Sequence, residues 1–348
     1  MGSGHFHIFK RLFGKWLSMK ILVTGGAGYI ASTIATALLD RGDEPILLDS
    51  LVSGVREYTN GRIFYEGDIS DGAVVDRIFS DHPDIYAVVH CAALIDSPAS
   101  VREPALYYDY NIVRSLAFFN SVLRNGCHRI VFSSSASIYE SASELKIDET
   151  RPVGPLSPYG RTKAMSEEIL RDLSNATALR TISLRYFNPI GADPELRTGP
   201  HHRDASHVLG RLFAAARQNV KFTITGTDFD TPDGTGIRDY IHVWDLASAH
   251  LHALDAFDEV TEVVPFRAIN VGRGEGVSVR ELTNIFNTII HRPIPIHEGP
   301  RRDGDGPGGF AACELAASLL GWKSQLSIAQ AITDALRWLD TRESNLGY

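Results

Sequence analysis

Two side chains four residues apart have the types needed for acid–base chemistry: Tyr159 and Lys163, in the run Tyr159-Gly160-Arg161-Thr162-Lys163. On a helix that spacing puts a phenol and an ammonium on one face. A phenol titrates near pH ~10, too high for a base at neutrality, but a nearby positive charge favours the phenolate. So assisted, it can take a proton from a hydroxyl group. Lys163 has a second task open to it, donating to a ribose. Upstream, the apolar run Ile130-Val131-Phe132 opens into Ser133-Ser134-Ser135-Ala136. Ser135 is the serine of choice to hydrogen-bond the reacting hydroxyl and share its proton, although serines at a strand end are also ordinary turn residues.

A Tyr-x-x-x-Lys pair alone is a common surface pattern, so its weight depends on what positions it. The decisive stretch is Lys20 to Ser32, KILVTGGAGYIAS. A short branched run, Ile21-Leu22-Val23, predicts a strand; Gly25, Gly26 and Gly28 follow, and then a helical pattern from Ile30 to Leu39. Strand, glycine turn and helix N-terminus together make an anion site, because unpaired N–H groups and the helix dipole converge there. A second strand, Pro45-Ile46-Leu47-Leu48, ends in Asp49, about twenty residues beyond the loop, where an acid meets the ribose hydroxyls of a dinucleotide and repels a 2′-phosphate. NAD is therefore expected rather than NADP, with hydride passing to it as the tyrosine takes the proton.

The composition is that of a globular chain: 348 residues, 44% apolar and 22% charged. A net charge of −8 leaves no basic excess for non-specific nucleic-acid binding. Cys91, Cys127 and Cys313 are scattered and lack metal-ligand spacing, which suits buried thiols in a reducing cytoplasm. No apolar run approaches the ~20 residues of a membrane span. Residues 1–18, MGSGHFHIFKRLFGKWLS, are basic and aromatic without an acid. They read as an extension or leader before Met19, the other reading being an amphipathic segment for a membrane or partner.

Further along, a strand near Arg62–Glu66 leads to Asp68, placed either to meet the adenine or to serve as a cap or turn acid for the helix near Asp71–Asp81. The run Ala87 to Ala93 is a buried parallel strand ending in small residues that let a cofactor lie against the backbone; its His90 suits the core better than a ligand role. A long helical pattern from Pro104 to Asn125 contains Asn111. A helix starts near Tyr159, and Thr181–Tyr186 is a further strand. This alternation predicts an α/β fold with a doubly wound parallel sheet. Beyond Asn188, Pro189 to Arg203 reads as loop, then come a helix near Val208–Gln218, a strand Phe222–Thr225 and turn chemistry in Asp230–Gly236. Asp245 is expected to cap a helix through Ala256. A short strand Ala268–Val271, a capping box of Ser278 and Glu281 before Leu282–Ile290, and a second long loop from Pro293 to Gly309 complete the reading.

TGGAGYIAS at 24–32, FSSSASIY at 132–139, SPYGRTK at 157–163, LRYFNPIGA at 184–192 and DGTGIRDYIHVWDLA at 233–247 together resemble the extended short-chain dehydrogenase/reductase family, specifically the UDP-glucose (UDP-galactose) 4-epimerases. They span nearly everything after Met19. The resemblance implies a Rossmann lobe over 19–188, rejoined by parts of 230–275, and a smaller C-terminal substrate-binding lobe within 189–348. It implies that Tyr159 is the base and Lys163 its partner, with Ser134 and Ser135 flanking the sugar. Gly25, Gly28, Tyr29, Ile30, Asp49, Asp68, Ile69, Ala92, Ala93, Asn111, Ser133 and Tyr186 would line the NAD site. Phe187 and Asn188 would meet the nucleotide sugar, and Arg238, Arg302 and Asp305 the UDP moiety; guanidinium groups suit a diphosphate because they bind it bidentately. The helices at Pro104–Asn125 and Tyr159–Ser174 resemble the family's dimer-forming pair, so a homodimer is expected.

The chain also departs from that pattern. Ala31 replaces the third glycine. A lysine usual in such epimerases is absent from Ala93-Leu94-Ile95-Asp96-Ser97, an Asn-Leu pair is replaced by Ala205-Ser206-His207, and a bulkier gatekeeper gives way to Gly306-Pro307-Gly308-Gly309. These changes predict a roomier or differently polar sugar pocket, open to a C2- or C6-modified sugar such as a uronate or N-acetylhexosamine. A 4,6-dehydratase or decarboxylase is the alternative enzyme, but Ala136-Ser137 stands where dehydratases carry an Asp-Glu pair. A non-catalytic NAD-sensing protein would be expected to have lost Tyr159 or Lys163.

Overall fold

The computed structural model describes residues 18–140, 144–202, 207–301 and 306–347. β1 (Lys20–Thr24) turns through the glycines into α1 (Tyr29–Arg41), followed by β2 (Glu44–Asp49), β3 (Ile63–Glu66), α2 (Gly72–Asp81) and β4 (Ile85–His90). α3 (Ser97–Arg102) and α4 (Pro104–Tyr108) lead through a π-helical turn, Asp109–Val113, into α5 (Arg114–Arg124) and β5 (Arg129–Ser133). β6 (Lys146–Ile147), α6 (Pro158–Ala176) and β7 (Arg180–Tyr186) come next. The later part runs β8 (Asn188–Ile190), α7 (Val208–Gln218), β9 (Phe222–Thr225), β10 (Ile237–Arg238), β11 (Tyr240–His242), α8 (Val243–Asp255), α9 (Phe257–Thr261) and β12 (Phe266–Val271). It closes with β13 (Val277–Ser278), α10 (Val279–Ile289), β14 (Ile296–Gly299), β15 (Gly308–Ala311), α11 (Glu314–Leu320) and α12 (Ile328–Leu346).

The main sheet has seven strands in the order β12-β7-β5-β4-β1-β2-β3, and every pairing in it is parallel. Its strands are buried apolar runs, and each face packs a separate core. One includes Ile34 and Leu38 of α1, Val23, and Leu246 and Leu254 of α8. The other gathers Val75 and Ile78 of α2, Phe118 and Phe119 of α5, and Leu170 of α6. The doubly wound α/β reading is therefore what the chain builds. A third core, around Leu212, Phe222, Leu282, Phe286 and Ile332, underlies the later segments. Small sheets surround it, β13-β10-β15-β6, β11-β8 and β14-β9.

Three local expectations change. Asp245 is not a cap: His242 caps α8, accepting from Trp244 N. The buried Asp245 carboxylate instead accepts from the backbone of Gln325 at 2.9 Å and Leu326 at 2.8 Å, tying the approach to α12 onto α8. The stretch Pro293–Gly309 carries two strands, β14 and β15, because its Gly and Pro residues sit beside partners remote in sequence that only the fold supplies. Pro189-Ile190 likewise pairs with β11 instead of staying loop. The helix expected from Pro104 to Asn125 forms with a π-turn at Asp109–Val113, and such turns concentrate at functional sites. Asp71, not Asp68, caps α2, and Ser278 and Glu281 form the expected capping box. Among the described residues no helix is long and apolar enough to cross a membrane.

Candidate active site

At the C-terminal edge of the sheet, β1 ends in a tight turn. Gly25 takes φ +67°, and a Cβ there would lie 2.9 Å from Ala92 N at the end of β4. Gly28 caps α1 with no side-chain hydrogen bond, so the first-turn N–H groups of Tyr29 and Ile30 face an anion site unobstructed by a side chain. Asp49 closes the loop from β2: its Oδ2 accepts from Ala27 N at 3.0 Å and its Oδ1 from Leu51 N at 2.7 Å. Burial raises its carboxyl, with those two N–H groups opposing the shift. Each carboxylate oxygen keeps a second lone pair for a ribose hydroxyl. The Tyr29 phenol donates to Gly191 O at 2.6 Å, tying α1 to the segment after β8.

Asp68 accepts from Ser70 N and pairs with Arg114 at 2.5 Å. Burial works against its ionisation, but Ser70 and Arg114 outweigh it and hold the carboxyl below its usual value. The Arg114 guanidinium stacks over Tyr110, 3.6 Å from the ring centre, beside Asp68. Asn111, in the π-turn, uses its whole amide: Oδ1 accepts from Leu94 N, and Nδ2 donates to Leu94 O and Thr162 Oγ1. It thereby fixes the Ala92-Ala93-Leu94 segment against α6. His90 is a core residue, 2.8 Å from Thr24 Oγ1 and stacked on Phe118.

Tyr159 stands in the first turn of α6, which Ser157 caps by accepting from Gly160 N. Burial pushes its phenol up to about 12, a hydrogen bond with Ser135 pulls it back, and Tyr107 adds a further push. Lys163, one turn on, donates to Ser133 O at 2.8 Å and lies over the Phe132 ring. Burial draws its ammonium down to about 8, with Cys91 and Glu167 acting the other way. Ser135 Oγ also accepts from Ser137 N at 3.1 Å and Ser137 Oγ at 2.9 Å. The Tyr186 phenol meets Ser133 and is raised by burial and by neighbouring Cys91 and Tyr159. Ser134 has a different partner: fully buried, it donates to Glu167 Oε1 at 2.6 Å.

Beyond β7, Phe187 is buried and Asn188 donates to Asp239 O through both its backbone N and its Nδ2. Arg238 Nη1 donates to Ile237 O. β10 pairs with β15, Ile237 opposite Gly308 and Arg238 opposite Gly309. Gly308 has φ +87°, and a Cβ on it would overlap the Ile237 carbonyl and the Arg238 guanidinium. At Gly309 a Cβ would crowd Ile147 and Leu145, each at 2.7 Å. The glycine run is thus filled by its neighbours. Arg302 and Asp305, with Ala205 and Ser206, lie outside the described residues.

A profile of the NAD dependent epimerase/dehydratase family matches residues 21–272. The chain belongs to that family. It is 38% identical over 323 residues to a UDP-glucose 4-epimerase of Rhizobium meliloti (strain 1021), covering 92% of this chain and 97% of that one. A UDP-glucose 4-epimerase structure from Stenotrophomonas maltophila, with bound NAD and formylated UDP-arabinopyranose, superposes at TM-score 0.87 with 35% identity, covering 94% and 99% of the two chains. The Brucella ovis UDP-glucose 4-epimerase in complex with NAD gives TM-score 0.85 and 36% identity over 92% and 98%.

Family membership accounts for the glycine turn, the serine turn and the Tyr159–Lys163 helix face being in one place. Three residues bracing the site are not among those singled out from the sequence. Glu167 extends the Tyr159–Lys163 stripe by one turn and would be found by following that stripe. Its ion-pair partner Arg185 is disguised as a strand residue. The buried Asp239 accepts from Arg273 N, Gly274 N and Ala311 N, joining three segments that no local periodicity connects.

Proposed function

We propose that this protein interconverts the C4 epimers of a UDP-hexose, UDP-glucose and UDP-galactose, through a 4-keto sugar with NAD as its resident cofactor. The observation that carries the reading is the Tyr159–Lys163 face of α6 docked on the serine turn, Lys163 donating to the Ser133 carbonyl and Gly160 lying against Ser137 O, in a chain 38% identical to a UDP-glucose 4-epimerase over almost its whole length. The cradle suits a dinucleotide: Gly25, at φ +67° and pressed against the Ala92 backbone, has no room for a side chain, α1 has no capping side chain, and Asp49 offers acceptors to a ribose.

Gly25, Gly28, Tyr29 and Ile30 would hold the pyrophosphate, Asp49 the ribose, Asp68 and Ile69 the adenine end, and Ala92, Ala93, Asn111, Ser133 and Tyr186 the remainder. NAD held there would supply hydride transfer from and back to C4, which leaves no net redox change over the cycle. Tyr159 takes the C4 hydroxyl proton and gives it back. Ser135 hydrogen-bonds the same hydroxyl and the phenol, sharing the proton as it moves. Lys163 supplies the positive charge that favours the phenolate. Phe187, Asn188 and Arg238, with Arg302 and Asp305, would hold the nucleotide and leave the sugar able to turn over. The division into a cofactor lobe over 19–188 and a mainly substrate-binding lobe over 189–348 belongs to this proposal.

The activity that the similar proteins are named for, UDP-glucose 4-epimerase, supports the unmodified hexose over a C2- or C6-modified sugar. Exposed Leu106, Val113, Leu116 and Met165 on α4, the π-turn, α5 and α6 support a homodimer through these helices. Three free cysteines support a cytoplasmic setting.

An NMR time course on the purified enzyme, with UDP-glucose and separately UDP-glucuronate and UDP-N-acetylglucosamine, tests the reading. A new anomeric signal for the C4 epimer of UDP-glucose is expected, with slower change in the other tubes. A 4-keto-6-deoxy or pentose product would replace epimerisation by dehydration or decarboxylation. NAD bound with no change in any tube would leave the sensor as the better account.

A further inference from the structure

Three consecutive serines each address α6 differently. The Ser133 carbonyl accepts from Lys163, the Ser134 hydroxyl donates to Glu167, and Ser135 meets the Tyr159 phenol. Their partners at 159, 163 and 167 form one stripe of the helix, each a turn apart. Gly160 lets the two elements touch, since a Cβ there would lie 2.5 Å from Ser137 O.

Glu167 is only 2% exposed and Arg185 4%. Arg185 grips it with Nε at 3.0 Å from Oε1 and Nη2 at 2.6 Å from Oε2, and Ser183 Oγ adds a bond at 2.8 Å. The same guanidinium donates through Nη1 to the Tyr139 phenol at 3.0 Å, and Tyr139 donates to Asn270 Oδ1 at 2.6 Å. Ser135 caps the short helical turn Ala136–Ile138, and Tyr139 follows it. The turn is therefore pinned at both ends by one buried pair, through Ser134 before it and Tyr139 after it. A buried ion pair is a poor source of stability, because desolvation offsets most of its attraction. Neither member lies among the groups assigned to proton transfer.

We propose that Glu167 and Arg185 are positioning residues that, through Ser134 and Tyr139, fix where Ser135 meets the phenol of Tyr159. The proposal rests on the epimerase reading for its kinetic consequence and on the geometry alone for its spectroscopic one. Reactions of oriented groups lose about a hundredfold for a displacement of ~1 Å, so a loosened Ser135 should show in kcat. The groups that bear on the Tyr159 phenol are Ser135 in the turn, Tyr107 on α4 and Tyr186 on β7, and none is altered by the variants below.

The test compares Ser134→Ala, Ser134→Thr, Tyr139→Phe and Glu167→Gln as NAD-loaded enzymes. Steady-state kinetics with UDP-glucose, melting temperature, NAD content and the ultraviolet phenolate titration of Tyr159, isolated by difference from Tyr159→Phe, are measured for each. Ser134→Ala and Tyr139→Phe are expected to lower kcat by about tenfold or more with KM within about twofold. Tyr159 should titrate at higher pH in both, because the Ser135 bond that favours the phenolate is loosened. Ser134→Thr, which keeps the hydroxyl, should restore both. Unchanged kcat and an unmoved titration in the folded Ala and Phe variants would overturn the proposal, as would losses that merely track melting temperature across all four. If wild-type enzyme leaves UDP-glucose unchanged, the epimerase reading fails, and the titration, which needs no sugar, still decides this one.

Discussion

The Lys163 ammonium donates to the Ser133 carbonyl at 2.8 Å over the face of Phe132, and so docks on the strand that carries the serines. Burial lowers it to about 8, so its charge is complete at acidic and neutral pH and is lost as pH rises through that value. If the charge supports the Tyr159 phenolate, kcat/KM should fall on the alkaline side from about pH 8. Lys163→Arg, which keeps its charge throughout, should remove that limb while lowering kcat. A pH–rate profile for both enzymes checks this, and a wild-type plateau through pH 9.5 would contradict it.

Tyr159→Phe keeps the ring and removes the phenol. The loss expected for one positioned acid–base group is ~10²–10⁴-fold in kcat. NAD content and melting temperature should stay close to wild type, since the phenol is not among the groups bracing the cradle. Turnover within tenfold of wild type would remove Tyr159 from the base role.

Gly308→Ala probes the nucleotide side. Its φ of +87° and its contact with the Ile237 carbonyl and Arg238 leave no room for a methyl group, so Arg238 must move. Loss of one charged hydrogen bond is about 1.5–3 kcal/mol, or roughly a tenfold or greater rise in KM for the UDP-sugar, with NAD content unchanged. Calorimetric titration with UDP alone reads the same effect without turnover. Equal UDP affinity in both proteins would show that Arg238 does not hold the diphosphate.

Acid stability should be limited by buried histidines. Burial holds His90 down at about 3 and His201 and His250 at about 4. The unfolded chain takes up protons near pH ~6.5 while the folded one does not, so stability falls as pH drops below ~6.5 and keeps falling toward pH 4. Well inside that window each histidine contributes about 1.4 kcal/mol per pH unit. Melting temperatures from pH 7.5 to 4.5 should show a progressive loss beginning near 6.5, and a flat curve down to pH 5 would contradict these assignments.

Val113→Asp places a charge on the exposed apolar stripe of α4, α5 and α6, where Val113 is 61% exposed. Light scattering should show the wild type as a dimer and the variant as a folded monomer. A monomeric wild type would exclude the proposed assembly.

How far the sequence alone reaches differs from residue to residue. Its short-range chemistry determined the elements that need only neighbours: the β1–glycine–α1 unit, the Ser278–Glu281 capping box, the Tyr159–Lys163 face and the alternation that makes a parallel sheet. Asn111 could be singled out but not its bonds, since Leu94 and Thr162 reach it from two other segments. Asp245 resembled a cap because an acid near a helix start usually is one; its partners lie about eighty residues on. β14 and β15 were hidden in a Gly/Pro-rich stretch because β9 and β10, which complete them, are remote in sequence. Only the tertiary structure decided that Ser134 faces Glu167 while Ser135 faces Tyr159, and that the glycines at 308 and 309 are filled by Arg238, Ile147 and Leu145. The physical reason is the same in each case. Periodicity and capping follow from bonds within a few residues, whereas the direction of a buried polar side chain is set by whichever distant group satisfies it.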